Sequence, residues 1–317
     1  MVTHAPLRVV FFGTPEFAVP TLTALLGSRH RVVGVVTQPD RPRGRGHQLS
    51  PGPVKLLALR HGLPVLQPER MRDELFLADL RGLDADLGVV AAYGRILTDT
   101  ILVIPRLGLI NVHASLLPRW RGAAPVHRAV LAGDAETGVT IMRIVRELDA
   151  GAMLATARRP IGPDETSAEV EAALAVLGAE LLSAAVERLS EGPLHEEPQP
   201  DAGVTYADRI TKADSPIFWW RSAREVHNQV RGLHPWPLAS TVIGSHRLIV
   251  LRTTISDGPA PSSALPGTIL EAEGDRLVVA AGHGTVRLLE LRPEGRRTMT
   301  AREFLAGHRL AVGARME

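Results

Sequence analysis

The sequence predicts an α/β protein: an N-terminal, mostly parallel sheet with helices against it, followed by a smaller β-rich domain. Three observations carry this. Over the first two-thirds, short Val-rich runs alternate with helix-like segments. A stretch rich in Pro, Gly and acid, Glu191–Gly203, then interrupts the pattern. Short strand-like runs separated by Gly-bearing turns follow it. A chain of 317 residues is long enough to bury two cores.

Taken in order, strands are predicted at Arg8–Gly13, Arg31–Thr37, Asp86–Ala91, Leu107–Val112 and Thr137–Ile144. Their apolar runs show little alternation, the pattern of strands covered on both faces. Helix-like segments lie between them at Glu16–Leu26, Val54–His61, Arg72–Leu80 and Ala124–Ala132. Such alternation requires right-handed crossovers, so the sheet is expected to be mostly parallel and Rossmann-like. Thr166–Leu189 is the clearest helix. Thr166-Ser167-Ala168-Glu169 reads as a capping box, and Val170, Leu174, Leu177 and Leu181 keep helical spacing.

Beyond the break, Ser222-Ala223-Arg224-Glu225 opens a helix ending at Gly232. Three or four short strands are predicted over Ala239–Ile243, Arg247–Arg252, Gly267–Glu271, Arg276–Ala281 and Thr285–Leu291, the count depending on which runs merge. Short antiparallel strands of this kind suggest a small OB-like β-barrel. The expected organisation is a first domain over residues 1–190, a linker over 191–208 and a barrel domain over 209–317.

Cysteine is absent, which excludes a disulfide framework, a thiolate zinc site, an iron–sulfur cluster and a Cys nucleophile. No apolar run nears the roughly 18 residues a membrane span needs. MVTHAPLRVVFFG enters a strand-like segment directly, without the regions of a secretory leader, so a cytoplasmic protein is expected. Net charge is only +2, yet the basic residues are concentrated. Residues 41–60 hold Arg41, Arg43, Arg45, Lys55 and Arg60 with no carboxylate, and residues 100–133 hold Arg106, Arg119, Arg121 and Arg128, again with none. Both stretches suit an anionic partner. The preference for Arg over Lys needs nothing more than an arginine-biased genome.

Gly13-Thr14-Pro15 ends the first strand without the G-x-G-x-x-G spacing, which leaves a nicotinamide oxidoreductase resting on the α/β pattern alone. No G-x-S-x-G elbow, Walker A loop or H-E-x-x-H is present, and no metal site is expected. Asn111-Val112-His113 is more informative. Its spacing places two polar side chains on one face of a strand end, where open α/β sheets bind ligands. Asn offers an amide donor at any pH, and His exchanges a proton near neutrality. The pair suits a reaction that builds an oxyanion and moves a proton, such as acyl transfer to an amine. Taken alone, a His hydrogen-bonded in a loop is the better account of it. The long Ser115–Pro125 connection with its Arg-Trp-Arg has the look of a functional loop. Asp149 could orient the imidazole, or simply form a turn before Gly151.

Asn111-x-His113, Ser115-Leu116-Leu117-Pro118 and Asp149, in that order, resemble the pattern of the folate-dependent formyltransferase superfamily. FFGTPEFAVP (11–20), TQPDRPRGRG (37–46), VVAAYGRIL (89–97), INVHASLLPRWRGAAPVHRAVLAGDAETGVTIM (110–142) and HPWP (234–237) extend the resemblance over nearly the whole chain. It implies 10-formyltetrahydrofolate as donor and, from the branch it most resembles, the α-amine of initiator methionyl-tRNA as acceptor. Asn111, His113 and Asp149 would form the catalytic trio: Asn111 and protonated His113 stabilise the oxyanion, and Asp149 holds His113 and assists proton transfer. Ser115, Leu116, Leu117 and Pro118 would line the tetrahydrofolate site. The basic loop would reach the tRNA through Arg41, Arg43, Arg45 and Lys55, with Arg43 and Arg45 foremost, and the barrel would bind mainly phosphates. A monomer without metal or membrane contact is the corresponding expectation. The chain departs from the pattern at Glu147, where Gly is usual, at Ala152, where an acid is common, at Ala114 for Gly and at Phe218 for Asp. Two other readings remain: an amino sugar nucleotide or other small amine as acceptor, and a non-catalytic RNA-binding module.

Overall fold

The computed structural model describes residues 5–43, 48–256, 261 and 264–317. Backbone contacts divide the chain into two units. The first is Met1–Pro125, Thr137–Arg159 and Glu171–Ala207; the second is Val126–Glu136, Pro160–Val170 and Asp208–Glu317. Most of the stretch read as a linker thus belongs to the first unit.

The first unit is built on a seven-stranded sheet. Its order, edge to edge, is Met153–Pro160, Glu136–Arg143, Leu109–His113, Leu87–Ala91, Arg8–Gly13, Arg31–Val36 and Val65–Leu66. The five strands from Leu109–His113 to Val65–Leu66 pair in parallel, as their Val-rich runs predict. Glu136–Arg143 instead runs antiparallel to Leu109–His113, pairing Thr140 with His113 and Arg143 with Ile110. Met153–Pro160 is not evident from the sequence because it is an edge strand whose burial alternates along its length, so it carries no apolar run.

Alternation within the first strand fills both sides of the sheet. Val10 and Phe12 join Phe76, Leu77 and Leu80 of the helix Glu74–Gly82 in one core, while Val9 and Phe11 are buried on the other face. That helix starts later than its apolar pattern suggests, because the Asp73 carboxylate caps the amides of Leu75 and Phe76. Tyr93 closes the core, edge-on to Phe12 with centroids 5.7 Å apart, its hydroxyl donating to Met71 Sδ at 3.3 Å. The helix Ser167–Glu191 brings Gly178 against Val112 and Val139. It is 25 residues long, yet among the described residues no helix is long and apolar enough to cross a membrane.

In the second unit the helix Ala223–Gly232 is capped as its sequence predicts, Ser222 and Glu225 satisfying each other's backbone amides. An antiparallel sheet follows in the order Ala239–Ile243, His246–Ser256, Thr285–Pro293, Arg276–Ala280 and Ile269–Glu273, with Met299–Thr300 added to Thr285–Pro293. The predicted runs stay separate, giving five strands where merging would leave three or four, and the second and fifth are longer than their runs. A helix that the sequence pattern does not announce, Ala301–Gly307, carries its own capping box between Thr300 and Glu303.

Burial pushes the Tyr93 hydroxyl up to about 12. The folded chain therefore holds that proton where the unfolded chain, with an ordinary value of about 10, has released it. Stability should fall as pH rises from 10 towards 12, and Tyr93→Phe should remove that part of the slope in urea titrations. Phe12→Ala, which empties a fully buried site, should lower stability by about 3–5 kcal/mol.

Candidate active site

The alternation of the Leu109–His113 strand decides the site. Val112 faces the helix Ser167–Glu191, so Asn111 and His113 project from the opposite face at the strand's carboxyl end. His113 is only 5% exposed. Its Nε2 lies 2.9 Å from the Trp120 carbonyl, which can only accept, so Nε2 carries the hydrogen. Nδ1 is thereby the nitrogen left to take up or give a proton, and it faces Asp149 Oδ2 at 3.6 Å. That is an ion-pair distance rather than a hydrogen bond.

Asp149 is delivered by a loop that doubles back along the sheet. Ile144 donates to Leu109 at the strand's start, and five residues later Asp149 stands beside His113 at its end. The carboxylate is pinned there: Gly122 donates its backbone N–H to Oδ2 at 2.8 Å. Asp149 sits at φ +47° and Trp120 at φ +64°, left-handed conformations unusual for residues with a β-carbon. Glycine is required at 122, where φ is +122° and a β-carbon would stand 2.9 Å from the Ala207 carbonyl. The Asn111 amide, half-buried beside these groups, has no hydrogen-bond partner among the described residues.

The Ser115–Pro118 loop is stitched from two sides. The Thr140 hydroxyl donates to the Ser115 carbonyl at 2.8 Å and accepts from Leu117 N–H at 3.2 Å, while Ser115 Oγ donates to the Arg119 carbonyl at 2.6 Å. Ser115 and Leu117 are buried, whereas Leu116 and Pro118 keep partial exposure. On the other side Trp120 N–H donates to Thr205 Oγ1, and Gln199 donates to the carbonyls of both Asp149 and Gly151 at 2.8 Å. Arg121 in turn grips Gln199 Oε1 through two N–H groups. Sequence reasoning missed Gln199 and Thr205, which lie in a Pro-rich stretch with no periodicity, and the carbonyl of Trp120 and amide of Gly122, which no side chain announces.

The basic loop begins as a short hairpin, Arg41–Arg43 with Gln48–Ser50, and Arg45 lies outside the described residues. The Arg41 guanidinium reaches Gln38 Oε1 at 3.3 Å. Lys55, expected among the tRNA contacts, has a partner within the chain. Its ammonium is 2.6 Å from Asp40, one residue outside the carboxylate-free window, and this contact and Gln67 hold the Asp40 carboxyl below its ordinary range. Lys55 therefore braces the base of the loop. Among the described residues no cluster of three or more His, Asp or Glu is arranged to hold a metal ion.

A buried imidazole beside a fixed carboxylate and an open amide, at the strand ends of an α/β sheet, suits acyl transfer to an amine. Known proteins narrow this further. Residues 7–186 match the family described as Formyl transferase, and residues 209–309 match Formyl transferase, C-terminal domain. The chain belongs to the formyl transferase family. Formyl transferases similar to it include the methionyl-tRNA formyltransferase of Symbiobacterium thermophilum, 49% identical with 98% of this chain and 95% of that protein covered. That of Methylococcus capsulatus is 48% identical, with 96% and 98% covered. Among solved structures, an N-formyltransferase from Helicobacter canadensis in complex with folinic acid and dTDP-3-aminofucose shares the fold at a TM-score of 0.65 and 15% identity, over 89% of this chain and 99% of that one. HypX from Aquifex aeolicus, in complex with tetrahydrofolic acid, does so at 0.63 and 15%, over 95% of this chain and 47% of its own.

Gln199→Ala would leave the carbonyls of Asp149 and Gly151 without their shared donor and strip Arg121 of its acceptor. Stability should fall by about 1–3 kcal/mol, with faster amide exchange concentrated in residues 145–151.

Proposed function

We propose that this formyl transferase moves the formyl group of 10-formyltetrahydrofolate onto the α-amine of initiator methionyl-tRNA, in the cytoplasm, at the start of protein synthesis. The observation that supports this reading best is the resemblance to methionyl-tRNA formyltransferases at 49% and 48% identity over nearly the whole length of both chains. The neighbours in structure are too distant in sequence to choose an acceptor, and the carboxylate-free loop favours a nucleic acid over a small amine.

In this reading the amine attacks the formyl carbon, and the carbonyl oxygen acquires negative charge. Asn111 supplies an amide donor to that oxygen, with no hydrogen bond among the described residues to give up. His113 contributes Nδ1, since Nε2 is held by the Trp120 carbonyl. The 3.6 Å between Nδ1 and Asp149 leaves the carboxylate free to take a proton from the attacking amine. The C–N bond to the folate N10 then breaks, and N10 takes up the proton that the amine gave to Asp149, so the donor leaves as tetrahydrofolate. Leu116 and Pro118 are the members of the donor-site loop with surface to offer, and Ser115 and Leu117 shape it from within. Arg41, Arg43 and Arg45 meet the tRNA, over a base that Lys55 and Asp40 hold together.

The test is a formylation assay offering 10-formyltetrahydrofolate with charged initiator tRNA, charged elongator tRNA or free methionine. Formylation of the initiator alone is expected, and failure on all three would overturn the reading. His113→Ala and Asp149→Asn should each lower kcat by about 10²- to 10⁴-fold with little change in KM for tRNA. Arg43→Ala with Arg45→Ala should instead raise that KM and flatten its dependence on salt by about one unit of log–log slope for each phosphate left without its arginine.

A further inference from the structure

The second unit displays two aromatic side chains outward on either side of one turned inward. Trp219 is 4% exposed, and its indole N–H donates to Thr241 Oγ1 at 2.9 Å. Its neighbours Phe218 and Trp220 are 38% and 67% exposed, with ring centroids 6.0 Å apart and planes tilted by 44°. The Arg221 guanidinium lies over both, 5.2 Å from the Phe218 centroid and 5.4 Å from that of Trp220. Among the described residues Arg221 makes no side-chain hydrogen bond or ion pair, so its N–H groups remain available.

Single exposed apolar side chains are ordinary, but this group is held rigid from beneath. Arg221 N–H closes a turn on the Phe218 carbonyl at 3.0 Å, and Gly282 N–H donates to the carbonyls of both Trp219 and Arg221 at 2.8 Å. The approach is so close that a β-carbon at 282 would collide with the Trp220 carbonyl. Ser222 pairs with His283 immediately beyond. The buried Trp219 and the Gly282 contact thus fix where the flanking rings point before any partner arrives.

We propose that Phe218, Trp220 and Arg221 form a stacking platform for an unpaired nucleobase of the tRNA. An exposed aromatic face adds base-stacking area without sequence preference, and a guanidinium over the rings adds cation–π attraction and free donors for a neighbouring phosphate. Two rings joined by a cation suit a flat, electron-rich ligand that carries negative charge, and an RNA base with its phosphate has that chemistry. The inference rests on the tRNA reading above and adds a contact in the second unit.

The test measures binding of an initiator tRNA transcript to the full chain from 50 to 200 mM salt, for the parent protein, Trp220→Ala and Trp220→Phe. Trp220→Ala should weaken binding about tenfold at every salt concentration, with the log–log salt slope unchanged because the number of neutralised phosphates stays the same. Trp220→Phe should recover most of the affinity, since a ring face is restored. Unchanged affinity in Trp220→Ala overturns the platform, as does an equal loss in Trp220→Phe or a loss accompanied by a lower melting temperature. If Trp220→Ala instead abolishes self-association and leaves RNA affinity intact, the patch is a protein contact and the proposal fails. The two readings fail separately: a parent protein unable to formylate methionyl-tRNA sinks the acceptor, whereas normal formylation with equal tRNA affinity in parent and Trp220→Ala sinks only the platform.

Discussion

The site depends on which way one strand is turned. Val112 has to be buried against the helix Ser167–Glu191, where Gly178 lets the two elements approach closely, and strand geometry then sends Asn111 and His113 to the other face. A slip of one residue would bury the imidazole and amide in the wall of the sheet and expose a valine in their place. The antiparallel neighbour shares the constraint: Thr140, opposite His113, is the residue that fastens the Ser115–Leu117 backbone. Apolar packing on one side of the sheet thus determines the polar geometry on the other.

Electrostatic order around the basic loop follows a similar division between anchoring and display. Lys55 is spent on Asp40, and Gln67 binds both that carboxylate and the Gln38 carbonyl. Gln38 also donates to the Tyr93 carbonyl, tying the root of the loop to the strand ends of the sheet. A cation paired this closely adds little field at a distance.

Much of the fold is legible because buried parallel strands leave continuous apolar runs, and the five predicted in the first unit fall within two residues of those observed. Met153–Pro160 is hidden by its solvent-facing side, and Ala301–Gly307 by its brevity, although Thr300 and Glu303 carry a cap signal at the right spacing. The candidate trio is legible only through the family resemblance, since each residue alone reads as readily as a loop or turn residue, and the structure brings His113 and Asp149 face to face. What fixes them is not legible. Backbone groups of Trp120 and Gly122 act through contacts between segments distant in sequence, and Gln199 lies some fifty residues beyond the loop it holds. Lys55 shows the converse limit: its partner sits at position 40, where only the folded chain reveals the pairing.

The role of Gln199 and Thr205 bears on the order in which the molecule comes into being. A nascent chain emerges from its N-terminus, and domains tend to consolidate as soon as their contacts are complete. The sheet of the first unit has all its strands by Pro160 and its long helix by Glu191, yet the loops bearing Asp149 and Trp120 wait for residues 199 and 205 to arrive. A chain emerging only as far as Glu191 would therefore carry every strand of the sheet but not the contacts that hold the candidate site's loops. The separation of His113 and Asp149 thus depends on the last segment of the first unit as well as on its core.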